Sequence, residues 1–223
     1  MNNNGFVTGS AFNRYTNLDN IEWKIIDFLI HSKSKYANYL WKILRYDTED
    51  CLSKPDLTNE EKFALVYKNN GEATPFRVFM NPFVDDAWEE QTSLLHIYIY
   101  GINPQNHLTG KVHVCFECIV HNKISNIYGD ASEYNPDTNP VEIDSSGETI
   151  TLYKSRATEM LKDVVAALNG QMVNGIGVLQ FNESLSPYDT AKASLWNAKS
   201  FFGYRVIMTT IISGASEDSD CGN

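Results

Sequence analysis

The residues best suited to metal or redox chemistry lie together between positions 113 and 121. Cys115 and Cys118 form a C-x-x-C pair, and His113 and His121 flank it. Thiolates and imidazoles at such spacing could bind zinc if they converged on one point. Side chains alternate along a strand, however, so Cys115 shares a face with the two histidines while Cys118 lies opposite, with the valines. No glycine offers the turn of a zinc knuckle, so the two thiols are not expected to share a metal.

The face that carries His113, Glu117 and His121 is also poorly spaced for a single ion. Side chains that follow one another on one face of a strand are about 7 Å apart, which is wide for three ligands. We therefore expect no metal site and no cofactor here. A solvated or interfacial polar face is the prediction.

Paired carboxylates occur at Asp85–Asp86 and at Glu89–Glu90, around Trp88. They could form an acid/base or magnesium-binding set. Their position in a polar turn between strands instead favours solvated acids. Gly175-Ile176-Gly177 lacks the third glycine and the following helix of a phosphate loop, and no nucleophile signature is present. We expect no catalytic residues, and an enzyme centred on Asp85, Asp86 and Glu89 remains the alternative.

A further acidic segment, residues 129–148, contains prolines and lacks every Lys and Arg. A long stretch without helix or strand signals inside a compact domain is typically functional or disordered. We expect an excursion that contacts a neighbouring subunit or lines a negatively charged channel, with simple disorder as the alternative. Its candidate residues are Asp130, Glu133, Asp137, Glu142, Asp144 and Glu148.

The chain as a whole is acidic, with a formal charge of −10 over 223 residues. No cluster of Lys and Arg supplies the basic footprint of a nucleic-acid-binding protein, and an anionic membrane would repel such a chain. There is no secretory signal pattern and no apolar stretch of membrane-spanning length. Four scattered cysteines do not suggest a disulfide framework. These features predict a reducing cytoplasm, or a particle assembled there.

Two kinds of periodicity divide the chain into a helical part and a sheet part. Apolar residues recur at about every fourth position over 21–44, which predicts one long helix or two helices with a break at 32–35. Pairs of capping-box form stand at Asp19–Glu22 and Thr58–Glu61. The second opens a short helix, which we expect to end at Asn69-Asn70-Gly71.

From about residue 75 the apolar period changes from near four to two, which predicts strands. The predicted strands are 75–84, 93–100, 111–121, 124–128, 149–153, 176–181 and 201–212, and one amphipathic helix spans 156–168. Pro75 and Pro82 mark the first strand as an edge strand. Gly101 to Pro104 is expected to end the second strand.

This order of elements predicts an α+β fold, in which a mostly antiparallel sheet carries helices packed on one face. The N-terminal third is predicted to be helical, the termini flexible and the acidic loop long. The predicted organisation is a flexible arm at 1–18, a single domain at 19–213 (helical over 19–71, sheet plus helix over 72–213, acidic excursion at 129–148) and a mobile acidic tail at 214–223.

Four segments of the second half resemble a known group of proteins. They are Lys111–Asn122, Ser155–Gly170, Gly175–Phe181 and Phe202–Thr210. Their pattern is a strand, an excursion, an Arg-led helix that ends in Asn-Gly, a short strand and a Gly-Tyr-led closing strand. It resembles the head-to-tail interface proteins of tailed bacteriophages, namely the neck, ring-adaptor and tail-completion (terminator) proteins. The resemblance runs over the stretch from Lys111 to Ile212, a little under half of the chain.

The resemblance implies a structural virion protein without an active site or cofactor. Such proteins form rings, often of six or twelve copies, around the DNA channel between capsid portal and tail. The implied partners are further copies of the chain and the neighbouring portal, adaptor and tail proteins. DNA would pass without specific binding, repelled by a negative channel wall that the charge of −10 fits. The implied location is the virion neck or tail, reached from the host cytoplasm.

Two other classes of function stay open from the sequence. One is a small metal-dependent enzyme that processes nucleic acid or modifies a host component. The other is a soluble protein-binding module that uses the aromatic strand at Tyr98 and Tyr100. The three hypotheses differ in solution, since they predict a ring, a metal-dependent activity and a one-to-one complex respectively.

Overall fold

The computed structural model describes residues 18, 20–68, 76–82, 90–105, 109–128, 153–173, 175–181, 191–193 and 200–213. Within these residues the helices are α1 (Ile21–His31), α2 (Lys35–Arg45), α3 (Asn59–Ala64) and α4 (Arg156–Leu168). The strands are β1 (Val78–Phe79), β2 (Ser93–Pro104), β3 (Thr109–His121), β4 (Asn126–Tyr128), β5 (Tyr153–Ser155), β6 (Met172–Val173), β7 (Gly177–Val178), β8 (Ala191–Ala193) and β9 (Phe201–Ser213).

One five-stranded sheet dominates the molecule, with the strand order β1-β2-β3-β9-β8. Its centre consists of β2, β3 and β9, which have 12, 13 and 13 residues and pair antiparallel. Only the short β1 pairs parallel to its neighbour β2. The predicted mostly antiparallel sheet is therefore confirmed. The pairs β4–β5 and β6–β7 form two further small sheets.

The helices pack on one face of this sheet, as predicted. Every second residue of β3 from Val112 to Val120 is buried in the main core, together with the apolar sides of α1, α2 and α4. Helix α4 packs against β3 and β9, and α1 and α2 pack against β2. We call this the inner face, and the opposite side the outer face. The predicted α+β class and the helical N-terminal part are confirmed.

The helix boundaries show which of the predicted helix breaks, caps and stops are present in the structure. The long apolar stretch forms two helices that break at residues 32–34, where Ser34 caps α2 by accepting from the backbone N–H of Tyr36. The capping box of Thr58 and Glu61 is confirmed at the start of α3. The helix that it opens ends at Ala64, well before the predicted stop, because the chain next pairs Val66 with Val78.

The capping box predicted at the start of α1 is wrong. Asn20 is the N-cap of this helix, without a side-chain cap hydrogen bond. The carboxylate of Glu22 instead accepts from the backbone N–H of Ile99 on β2, at 3.1 Å. A tertiary partner has replaced the local one, and Asp19 lies outside the described residues.

Side chains from distant positions satisfy the buried carbonyls at the ends of α1 and α2. Four carbonyls at a helix C-terminus have no partner within the helix. For α1, the indole of Trp41 donates to Leu29 O at 2.9 Å and the ammonium of Lys62 donates to Ile30 O at 3.1 Å. For α2, the fully buried guanidinium of Arg156 donates to Ile43 O and also to the carbonyls of residues 46 and 48 that follow the helix.

Several strands differ from their predicted lengths. The first shrinks to Val78–Phe79, and it is an edge strand as predicted. The second does not end at Gly101, because a bulge between Ile99 and Gly101 lets β2 continue to Pro104. The predicted strand at 124–128 shortens to Asn126–Tyr128 and pairs with β5.

The predicted arm, acidic excursion and acidic tail lie outside the described residues, except that Leu18, at the predicted end of the arm, packs against the core. Among the described helices, none combines the length and apolar character needed to cross a membrane.

Replacing Arg156 by Met should lower the free energy of unfolding by about 3 kcal/mol, because one buried and two partly buried carbonyls lose a charged donor. Urea denaturation followed by circular dichroism measures the loss. Arg45→Met, at an exposed site in the last turn of α2, is the matched control and should change the value by about 0.5 kcal/mol at most. Equal effects of the two variants would contradict the assigned role of Arg156.

Replacing Gly203 by Ala should also destabilise the sheet, by about 3 kcal/mol or more. A Cβ at this position would lie 2.2 Å from Cys118 O and 3.0 Å from the Cα of Ile119, so β3 and β9 would have to separate. Gly101→Ala is the matched control, since a Cβ there meets no atom within 4 Å. Denaturation midpoints of the two variants test the packing of β3 against β9, and a tolerated Gly203→Ala would show that it is looser.

Candidate functional site

The outer face of the sheet changes character along the strands. At one end lies a small apolar cluster formed by Phe76, Phe79, Leu94, Ile119 and Phe201. The middle carries polar and titratable side chains, which we call the polar belt: His96, Tyr98, Cys115, Glu117 and Arg205. The far end of the strands, with both of its faces, comprises residues 99–104 of β2, 109–113 of β3 and 207–213 of β9, and we call it the sheet end. Beyond the bulge Ile102 pairs with Val112 and so lies on the inner side, whereas Ile211 pairs with Lys111 on the outer side.

Strand register brings the polar belt together. Tyr98 pairs with Cys115, His96 pairs with Glu117, and Glu117 pairs with Arg205 on the other side. The hydroxyl of Tyr98 donates to Glu117 Oε1 at 2.8 Å. Glu117 Oε2 is 4.0 Å from Nδ1 of the fully buried His96, too far for a hydrogen bond. Within the described part of the chain, neither ring nitrogen of His96 makes a hydrogen bond of normal geometry.

Burial sets the protonation of this belt. It raises the pKa of the Cys115 thiol to about 12, although the hydrogen bond with Tyr98 opposes part of the effect. It lowers the pKa of His96 from 6.5 to about 4, which the backbone at Asn81 partly offsets. Burial also raises the pKa of Tyr98. It raises the pKa of Glu117 as well, although the hydrogen bond from Tyr98 and the charge of Arg205 oppose this effect. At neutral pH the thiol and phenol keep their protons and the imidazole is neutral.

Such a belt is poorly suited to nucleophilic chemistry. A reactive cysteine needs a lowered pKa, whereas that of Cys115 is raised. Cys118 lies on the opposite face, within the core, as strand alternation predicted. Among the residues that the structure describes, no group of three or more His, Cys, Asp and Glu could hold a metal ion. What the arrangement offers is a hydrogen-bonded network at the centre of the sheet.

Of the two predictions for the polar face at His113, Glu117 and His121, a solvated face is wrong, and an interfacial face stays a prediction. Cys115, Glu117 and His121 are buried, and only His113 is half-buried. His121 meets the ring of Phe201 edge to face, with centroids 5.0 Å apart. The strand pattern gave the correct face, but it carries no information on what covers that face.

The sheet end has the opposite character, because large apolar side chains are exposed there. Tyr100 is 48% exposed, Ile102 is 40% exposed and Ile211 is 57% exposed. The guanidinium of Arg205 lies over the ring of Tyr100, 5.3 Å from its centroid. Monomeric proteins rarely cluster exposed apolar side chains, and such clusters mark contact surfaces.

The two sides of the sheet end differ in shape. On the β2 side, no described strand pairs with residues 97–104 along the edge that faces away from β3, because β1 pairs only with Leu95 and His96. On the β9 side, Gln180 pairs with Thr209 and leaves a cleft of about 180 Å³ beside the strand. The cleft is lined by Lys111, Val178, Gln180, Thr209, Thr210 and Ile211.

The other residues singled out from the sequence occupy structural positions or are not described. Glu90 is exposed and pairs with Arg77 at 3.3 Å. Gly175 and Gly177 have φ of 79° and 83° and make the left-handed turn of the β6–β7 hairpin, not a phosphate loop. Asp85, Asp86 and Glu89 lie outside the described residues, as do all six acids of 129–148.

A family model matches residues 37–210, and that family is YomW. The chain belongs to the YomW family. The matched range covers 174 of the 223 residues and includes the polar belt and most of the sheet end. The family is phage-derived, of the Bacillus phage SPBc2 type, so this YomW-family chain is a phage-associated protein. No curated protein and no solved structure matches the chain significantly.

The sheet end was missed in the sequence, although a signal for it exists. No Asp or Glu occurs in residues 91–116 or in residues 190–216, in a chain that has 28 of them. These two acid-free stretches contain β2, β8, β9 and the first half of β3. The net charge of the whole chain does not show that acids are absent from these two stretches and concentrated elsewhere in the sequence.

The buried His96 should make the protein less stable in mild acid. Between pH 6.5 and 4 the unfolded chain binds a proton on this histidine and the native chain does not, so stability falls as the pH decreases through that window. The loss attributable to His96 is on the order of 3 kcal/mol by pH 4. Urea denaturation of the wild type and His96→Phe at a series of pH values measures it.

Comparing the two proteins isolates His96, because Glu117 is present in both. The raised pKa of Glu117 acts with the opposite sign, adding stability as the pH falls. His31→Gln, at an exposed site, controls for the loss of one imidazole. Parallel stability curves for the wild type and His96→Phe would show that His96 is not held neutral.

Proposed function

We propose that this YomW-family protein is a structural component of the phage particle that assembles into a ring at the head-to-tail interface. Its copies would surround the DNA channel between portal and tail, and DNA would pass without specific binding. The acidic segment 129–148 would contact neighbours or line the channel.

The observation that carries this proposal is the set of exposed apolar side chains at one end of the three longest strands, which contribute no acid of their own there. In a chain of charge −10, like charges oppose the approach of two copies over most of the surface. The strands of the sheet end contain no acid of their own and expose Tyr100, Ile102 and Ile211, and the carboxylate of Glu22, which reaches this region from α1, is engaged by the N–H of Ile99, so association costs least here. The phage derivation of the family supports a particle component.

A protein-binding module is the second candidate, because Tyr100 on the predicted aromatic strand is exposed. Tyr98 is less available, since it is half-buried and donates to Glu117. This alternative predicts a defined one-to-one complex with a partner instead of a ring.

Mass photometry over a range of protein and salt concentrations tests the ring proposal. We expect species of six or twelve copies whose population rises with concentration, and electron microscopy should show closed rings. Screening by salt should favour assembly, because repulsion between acidic copies decreases.

The same measurement should be repeated with portal, adaptor and tail components of the phage particle. A chain that stays monomeric alone and also fails to join these components would contradict the proposed function. Stoichiometric one-to-one binding to one of them would favour the second candidate.

A further inference from the structure

Resting on the proposed ring, we propose which surfaces its neighbouring copies use. The β2 side of the sheet end, with Tyr100 and Ile102, contacts the β9 side of the next copy. There the partner surface is the cleft lined by Lys111, Gln180 and Ile211. The occupant of this surface is therefore a second copy of the same chain, bound head to tail.

The β2 side has the features of a strand that receives a partner. Along the edge of β2 that faces away from β3, no described strand pairs with residues 97–104. Unpaired strand edges can bind the strands of other chains. The carboxylate of Glu22 accepts from the N–H of Ile99 and therefore occupies the edge of β2 at that residue. Beyond the bulge, residues 100–104 have no described strand on this side, and we call them the open part. Tyr100 and Ile102, the large apolar residues of this open part, are exposed.

The β9 side has a different but compatible surface. Ile211 is 57% exposed and borders a cleft of about 180 Å³, a size that suits one apolar side chain from a neighbour. Lys111 lines the same cleft, and it is the one charged side chain among the described residues of that lining. A tyrosine hydroxyl or a carbonyl from the neighbouring β2 could accept from its ammonium.

Charge favours a second copy as the occupant. Neither side of the sheet end contributes an acid from its strands, since residues 91–116 and 190–216 contain none. Two acidic chains that meet through these sides bring together a lysine and apolar groups, and the carboxylate of Glu22 at the β2 edge is already engaged by the N–H of Ile99. The exposed Met172, 73% accessible on the β6–β7 hairpin, instead borders a groove that carries both signs of charge, with Lys24 and Asp27 in its lining.

Because the two sides are not alike, the contact is heterologous, and it repeats in one direction. Contacts of this type close into a ring or extend into a filament, whereas a contact between two identical sides stops at a dimer. The asymmetry of the sheet end thus agrees with a ring and provides a way to test it.

The test uses two variants, each damaged on one side. Ile102→Asp disables the β2 side, Ile211→Asp disables the β9 side, and Met172→Asp is the matched control at an exposed apolar site elsewhere. Each of the first two should raise the midpoint concentration of assembly at least about tenfold, and the control should assemble as the wild type does. Ile102→Lys and Ile211→Lys repeat the design with the opposite charge, and thermal unfolding confirms that all variants fold.

Mixing Ile102→Asp with Ile211→Asp in equal amounts decides the geometry. The intact β9 side of one binds the intact β2 side of the other, so we expect dimers and nothing larger in mass photometry. Rings formed by either variant alone would overturn this inference, and so would the absence of dimers in a mixture of two folded variants. If the wild type forms rings in that case, the proposed function still stands. A wild type that never assembles, alone or with particle components, overturns both.

Discussion

The guanidinium of Arg156 joins the two halves of the molecule. It is fully buried at the first position of α4, and it donates to carbonyls at the end of α2 and in the turn after it. Burial lowers the pKa of this guanidinium, against the opposing charges of neighbouring groups such as Asp47. A buried charge is tolerated only with such partners. The packing of α2 against α4, and hence the helical layer that covers the inner face of the sheet, depends on this contact.

With the inner face fixed by the helices, the outer face holds the features that concern function. Its middle is a buried belt whose groups are neutral or protonated at neutral pH, as burial of the Cys115 thiol and the His96 imidazole requires. Its far end exposes Tyr100 and Ile211 and has no acid in its strands. A buried polar belt beside an end with exposed apolar side chains is the arrangement on which the proposed structural role rests. Membership of a phage-derived family agrees with that interpretation.

The sequence predicted what depends on local periodicity. The helix at Arg156–Leu168 and the long strands β3 and β9 were found with nearly their observed bounds, because amphipathic patterns of period 3.6 and 2 determine them. Prediction from the sequence failed where a tertiary hydrogen bond replaces a local one, since Glu22 binds the backbone of β2 instead of capping α1. The burial of Glu117 and the exposure of Ile211 depend on which elements cover the sheet, and strand alternation does not contain that information.

Hydrogen–deuterium exchange of the protein at low and high concentration tests most directly whether the sheet end is the assembly surface. We predict that amides of residues 97–104 and 209–213 gain protection at high concentration, while those around Met172 exchange at the same rate in both samples. Protection that appears around Met172 and leaves β2 unchanged would contradict the account. It would place the contact between copies on the helical side of the molecule.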